Sequence, residues 1–160
     1  MKLKSILYML MVLPFLWSCN DEDNVDEIFV SGQWNLLNFY GQADWNSNND
    51  TSARPEYDPA VRPSDAEIVK TIQTFTITFK VDGTFTGSAQ GSSFNGTWSA
   101  DGKKRTVMIN ISGNPSGSSL SGKYMNALKN ARFYKGTGGK SGYLQLAPDD
   151  KATFIQLRHL

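Results

Sequence analysis

Strict alternation of apolar and polar positions marks the middle of this chain as β-structure. In Thr74–Val81, the residues Phe75, Ile77, Phe79 and Val81 fall on one face, and Thr74, Thr76, Thr78 and Lys80 on the other. That period of two, carried by β-branched and aromatic residues, predicts a half-buried strand. Asp82-Gly83 follows as a hairpin turn, because glycine reaches positive φ without a steric penalty. Thr84–Ala89 returns, Gln90-Gly91-Ser92 turns, and Phe94–Ser99 forms the next strand. After a turn at Ala100–Lys103, Arg105–Ile111 brings Val107, Ile109 and Ile111 to one face. This is an antiparallel meander. Upstream, Gln33–Tyr40 sets Trp34, Leu36, Asn38 and Tyr40 against Gln33, Asn35, Leu37 and Phe39. Both faces are partly apolar, which suits a strand that packs on a core and is also covered outside. Downstream, Arg132–Lys135, Tyr143–Leu146 and Ala152–Leu157 read as two short hairpin strands and a closing strand. They are separated by turns at Gly136–Gly139 and Pro148-Asp149-Asp150.

The period changes once. Leu120, Tyr124, Ala127, Leu128 and Ala131 recur at i, i+4, i+7, i+8 and i+11, one stripe of a helix, with Ser118 or Ser119 placed to cap it. Gly41–Ala66, rich in Asn, Asp and Pro, fits neither period and predicts a long loop that is functional or mobile. Asp65–Lys70 adds a helical turn or begins the next strand. The expected fold is mostly β with one short helix (α+β). An antiparallel meander of about seven to eight strands curls into a barrel-like sheet capped by the helix. Phe75, Phe79, Phe85, Phe94 and Trp98 are large enough to fill a small barrel, which argues against an open cup.

The first residues carry an address. Lys2 and Lys4 precede an apolar run from Ile6 to Leu16, which is shorter than the ~20 residues a membrane-spanning helix needs and has the length of a signal-peptide core. Leu16-Trp17-Ser18-Cys19 resembles the lipobox of bacterial lipoproteins, in which a small residue precedes a Cys that is acylated and becomes the first residue of the mature chain. Trp17 is bulkier than is usual at its place. The resemblance implies a signal peptide over 1–18 and lipidation at Cys19, whose several acyl tails give stable membrane attachment without a spanning helix. Five of the 15 acidic residues lie in Asn20–Glu27. They read as a solvated tether over 19–30, extended by self-repulsion. They also resemble the surface-export signal of Bacteroidetes lipoproteins. The expected location is the outer membrane, in its periplasmic or its cell-surface leaflet. Residues 31–160 form a single domain.

Charge and composition remove several function classes. The 160 residues hold 16 Lys and Arg against 15 Asp and Glu, so no basic excess exists for a nucleic-acid backbone. One Cys and one His exclude a disulfide framework, a Cys/His zinc site and multi-histidine catalytic sets. His159 is penultimate, where chain ends fray. Asp44, Asp50, Glu56, Asp58, Asp65 and Glu67 match no glycosidase or calcium-loop spacing, and turn formation explains most of them. Gly136-Thr137-Gly138-Gly139-Lys140 lacks the phosphate-loop spacing and reads as a hairpin turn. The expectation is a non-enzymatic protein without cofactor or metal.

The order of motifs resembles the META domain, the heat-shock HslJ-like family. Its marks here are Gly32-Gln33-Trp34-Asn35-Leu36, then Ile77–Gly87 with its Asp82-Gly83-Thr84-Phe85, then Phe94-Asn95-Gly96-Thr97-Trp98. Ala127-Leu128-Lys129-Asn130-Ala131-Arg132-Phe133-Tyr134 and Leu144-Gln145-Leu146 complete the series. The long loop and the absence of a Gly-Cys-Asn after the return strand depart from it. A lipocalin-like lipoprotein is the rival, since Gly32-x-Trp34 also opens that fold. The META resemblance implies small envelope proteins with no agreed catalytic residue. Three roles follow: an interaction or envelope-stability module, a carrier of a small apolar ligand inside the barrel, and a surface module that binds a glycan or peptide. The third rests on Trp45 and Tyr57, aromatics in a polar loop that either grip a ligand or fold back as a lid over the barrel end.

Overall fold

The structure is a computed structural model that describes residues 22–47, 50–113 and 119–159. The signal peptide and Cys19 lie outside the described residues. Nine strands and three helices are present among those described: α1 (Val25–Phe29), β1 (Gln33–Gly41), β2 (Arg54–Pro55), α2 (Asp65–Ile72), β3 (Thr76–Phe79), β4 (Thr84–Ala89), β5 (Ser92–Asp101), β6 (Thr106–Ile111), α3 (Leu120–Asn130), β7 (Phe133–Gly136), β8 (Tyr143–Ala147) and β9 (Phe154–Arg158). Each neighbouring pair is antiparallel, in the order β2-β1-β3-β4-β5-β6-β7-β8-β9, and β9 returns to pair with β1. Eight strands therefore form a ring-like, barrel-like sheet, with the two-residue β2 added beside β1.

The meander forms where alternation predicts it. Phe75, Ile77 and Phe79 are buried, but Val81 is 77% exposed. It stands at the corner of the β3–β4 turn, where Lys80 N–H donates to Thr84 and Gly83 N–H to Lys80, with Gly83 at φ 78°. The two apolar faces of β1 have a local cause. Its pairing with β9 slips between Leu36 and Asn38, so the inward set changes from Trp34 and Leu36 to Phe39. A bulge of this kind inserts one unpaired residue and reverses the facing of all that follow.

The ring interior is full. At one end Phe29 of α1 stacks on Trp98 (4.9 Å, 21°) and meets Phe79 and Tyr134 edge-on at 5.2 and 5.0 Å. At the other end Tyr124 of α3 packs against Phe75 and Phe94 at 5.7 and 6.0 Å. Phe85 bridges the two layers, 6.1 Å from Phe79 and 6.2 Å from Phe94. Gly96 lets this row close, because a Cβ there would lie 1.9 Å from the Asn110 carbonyl oxygen and 2.9 Å from the Phe85 ring.

Three expectations change. The single capping helix is joined by α1 and α2. The acidic segment expected as a tether through residue 30 belongs to the body from Asp23 onward. Asn24 caps α1 by accepting from Glu27 N–H at 3.2 Å, Ile28 and Phe29 are buried, and Asp23 forms a bidentate pair with Arg105 at 3.1 Å. Burial of a full Phe side chain contributes about 1.5–3 kcal/mol, enough to outweigh solvation of a short acidic stretch. The loop over 41–66 holds the β2 pairing to Tyr40 and Gly41, and α2 starts at Asp65.

Candidate functional site

The outer face of β7, β8, β9 and β1 carries a row of polar side chains fixed by register. Lys135 pairs with Gln145, Gln145 with Gln156, and Gln156 with Asn38. Inward neighbours on the same strands, Tyr134, Leu144, Leu146, Ile155 and Leu157, are buried, so alternation puts this row on the outside. Gln145 Nε2 donates to Gln156 Oε1 at 3.2 Å, which leaves one amide oxygen and one amide NH₂ of the pair directed elsewhere. Beside this row Tyr40 lies flat on its cross-strand partner Phe154 (4.8 Å, 5°).

The segment after β1 folds back over this face. Ala43 N–H donates to the Ala152 carbonyl at 3.1 Å, and the Ser52 hydroxyl, whose one hydrogen is shared with Asp50, lies 2.8 Å from the Gln42 carbonyl. Asp50 ties the segment together by accepting from the Ser52 hydroxyl (2.6 Å) and from the N–H groups of Ser52, Asp44 and Ala53. These bonds, the Ser52 hydroxyl foremost, hold the Asp50 carboxyl below the usual carboxylate range. Trp45 is thereby set against Phe154 at 6.1 Å, tilted 58°, and forms a corner with the Tyr40–Phe154 stack. Lys135 Nζ sits 5.0 Å above the Trp45 ring and donates to the Ser47 carbonyl at 3.0 Å. Between loop and sheet lies a groove of about 430 Å³, lined also by Asp23, Asp44, Arg105 and Tyr143.

Tyr57 is not in this groove. Its ring meets Phe39 edge-on at 6.3 Å, and its backbone N–H and carbonyl are both bound to the Asn38 side chain. Lys123 of α3 covers it, 5.4 Å above the Tyr57 ring and 4.7 Å above Phe39, and pairs with Glu56. The structure therefore separates the two candidate aromatics: Trp45 lines a groove, and Tyr57 is a lid residue at the α3 end. That end holds a second concavity of about 590 Å³, with Phe39, Ala127, Leu146 and Ile155 on its floor and Arg54, Glu56, Lys123 and Asp150 at its rim. The first concavity lies on the outside of the ring, and the second enters its α3 end between the helix and the inward-facing Phe39, Leu146 and Ile155.

The remaining sequence candidates have structural partners. Asp65 is buried and accepts from Asp58 N–H and from Arg62 Nε, each at 2.9 Å. Asp58 accepts from Ala60 N–H, and Glu67 pairs with Lys70 one helical turn on. Among the described residues no group of three or more His, Cys, Asp or Glu is placed to hold a metal ion. His159 is not frayed. It stacks on Trp34 (4.0 Å, 30°), and its ring nitrogens lie 2.7 Å from the Gln33 carbonyl and 3.1 Å from the Ser31 hydroxyl. Gly136–Lys140 connects β7 to β8 as a hairpin, with Gly138 against the Glu27 backbone. Sequence reading missed Tyr40, Lys135, Gln145, Phe154 and Gln156 as groove residues. Their only local signal is an outward position on a strand.

The chain matches, over residues 20–159, the family described as Domain of unknown function (DUF4847), and it belongs to that family. A crystal structure of a DUF4847 family protein from Bacteroides vulgatus ATCC 8482 is 42% identical and superimposes with a TM-score of 0.73, covering 86% of this chain and 98% of that one. An NMR structure of a protein from Burkholderia xenovorans gives a TM-score of 0.49 at 15% identity, over 82% of this chain and 83% of that one. No curated protein matches. The expected META or HslJ-like kinship is overturned by the family match, and the lipocalin-like rival with it. The motifs that pointed there are devices of many β-hairpins: an Asp-Gly turn, a glycine under an aromatic ring, and alternating leucines.

Proposed function

We propose that this member of the DUF4847 family is a lipid-anchored, non-catalytic binding domain of the cell envelope. The groove between Trp45 and the β7–β8–β9–β1 face is its binding surface. The observation that carries the reading is the groove itself: an aromatic corner beside an amide pair, on a fold where Asp50, Asp65 and the single histidine are occupied in local hydrogen bonds. The anchor is supported by Lys2, Lys4, the apolar run Ile6–Leu16 and Cys19, and by a family match that begins at the next residue, Asn20. The location is the outer membrane. Labelled palmitate enters the wild-type chain and not Cys19→Ala; equal labelling of both, or of neither, removes the anchor from the reading. Protease shaving of intact cells assigns the leaflet.

The second concavity favours a second reading, a small amphipathic ligand seated on Phe39, Leu146 and Ile155 under Lys123. A fatty acid that protects Lys123 from amine modification supports it, and unchanged modification counts against it.

A further inference from the structure

We infer that the Trp45 groove takes a neutral saccharide. This rests on the reading of that groove as the binding surface and names the class of its ligand.

Each charge around the groove already holds a local partner, Asp44 by accepting from Asn46 N–H at 3.3 Å. Asp23 and Arg105 are joined by two bonds of 3.1 Å. Asp50 is consumed by one hydroxyl and three backbone N–H groups. Lys135 is held between the Trp45 ring and the Ser47 carbonyl. An anionic ligand would meet Asp44 and Asp50 without an uncommitted cation facing it, and a cationic one would face Lys135. Uncharged polar groups therefore dominate recognition: the open amide atoms of Gln145 and Gln156 and the hydroxyls of Tyr40 and Tyr143. Burial holds the Tyr40 hydroxyl above the ordinary tyrosine range, so it stays protonated and can donate.

A peptide is disfavoured by the sheet. A peptide that adds itself as a strand needs an open edge, and here β8, β9 and β1 are each paired on both sides, with β1–β9 closing the ring, while β7 joins β6 at Phe133–Thr106. A purely apolar molecule would strand the Gln145–Gln156 pair without water or partner. A pyranose has the matching chemistry. Its C–H face lies against an aromatic ring, and its hydroxyls both donate and accept, as the two ends of the amide pair require. About 430 Å³ lies within the usual range for small-ligand sites, ~300–1,000 Å³.

The test uses the full-length chain in detergent micelles, with side-chain amide resonances of Gln145 and Gln156 as the readout. Neutral hexose and N-acetylhexosamine oligosaccharides are the main probes, with a heparin oligosaccharide and lauric acid as the charged and apolar comparisons. Neutral oligosaccharide shifts both amides, Trp45→Ala weakens the effect about tenfold, and Tyr57→Ala leaves it unchanged. Gln145→Ala, read by Trp45 fluorescence, weakens it likewise. If heparin or lauric acid shifts the amides and no neutral sugar does, the saccharide class is wrong and the groove remains the binding surface. If no probe of any class moves them, the groove reading itself falls. If Tyr57→Ala abolishes the shift and Trp45→Ala does not, binding is at the other concavity.

Discussion

Replacing Phe29 by alanine tests whether α1 is part of the fold or a loose leader. The Phe29 ring is fully buried between Trp98, Phe79 and Tyr134. Its carbonyl accepts from Trp34 Nε1 at 3.0 Å, a bond the substitution leaves in place, so the change isolates the ring. Truncation forfeits the transfer energy of the ring and opens a cavity, together about 3–5 kcal/mol for a buried Phe. The upper part of that range applies, because the surrounding rings stand on paired strands of a closed sheet and cannot collapse inward. Against a total stability of about 5–15 kcal/mol this is a large fraction. At about 2–4 °C per kcal/mol for a domain of this size, Tm falls by about 10–15 °C. Circular dichroism melts of the full-length chain in micelles measure it, with the exposed α1 residue Asp26→Ala as a control losing less than about 1 kcal/mol. A Phe29→Ala melt within about 3 °C of wild type would refute the reasoning. The helix would then lie outside the cooperative unit, and residues 19–30 would act as a tether after all.

Gly96→Ala leaves no room for its new methyl beside the Asn110 carbonyl, an acceptor fixed by the β5–β6 register; the variant loses its near-ultraviolet aromatic signal at 25 °C. Asp65→Asn turns an amide NH₂ toward donors that now meet a carboxylate, which lowers stability by about 2–3 kcal/mol in urea titrations. The Tyr124 hydroxyl is buried without a hydrogen-bond partner, so Tyr124→Phe is neutral or stabilising by up to about 1 kcal/mol. Burial raises the Tyr124 and Tyr134 phenols well above the ordinary range, and the Asp23 carboxylate adds to the effect at Tyr134. A phenol whose folded pKa lies above its unfolded value contributes stability that is whole below about pH 10 and lost as pH rises beyond it. Alkaline unfolding therefore begins above about pH 10, and Tyr124→Phe moves it to higher pH in a tyrosinate absorbance titration.

The strands were legible because their period is carried by residues that cannot be exposed together. Phe75, Ile77 and Phe79, or Val107 and Ile109, leave one choice of facing. β1 read ambiguously because its bulge reverses the phase at Leu37, and no local rule distinguishes that from a strand covered on both faces. α1 was missed for a different reason. Asn24 and Glu27 stand at cap spacing, but five residues are too few to show a helical period, and the density of acids there also fits a solvated leader. The groove was beyond local reading. Trp45 meets Phe154 and Lys135 only because β9 closes on β1, a contact between positions about a hundred residues apart that no spacing rule encodes. Tyr57 illustrates the converse: an aromatic in a polar loop, absorbed by Phe39 and Lys123 once the chain folds.

The short distance from anchor to body has a consequence for orientation. Only Asn20, Asp21 and Glu22 separate Cys19 from Asp23, so four Cα steps span at most about 14 Å. Asp23 is itself fixed to Arg105 and to the Gly102 carbonyl at the end of the ring that α1 closes. With Cys19 acylated as proposed, that end must face the bilayer, and the α3 end must face away. Trp98 lies at the near end against Phe29, and β5 runs from Ser92, beside the Gln90 side chain that accepts from Ser121 N–H of α3, to Asp101 next to Gly102 at the anchored end. Nine residue steps of strand put at most roughly 30 Å between those two ends. In vesicles carrying headgroup-quencher lipids, a fluorophore on Lys103→Cys, beside Gly102, is quenched more than one on Ser92→Cys, beside α3. Equal quenching would mean that the body tumbles freely about a longer leash, which the buried Phe29 does not permit. Stronger quenching of the Ser92→Cys label would mean that the α3 end lies against the membrane, and the orientation would be reversed.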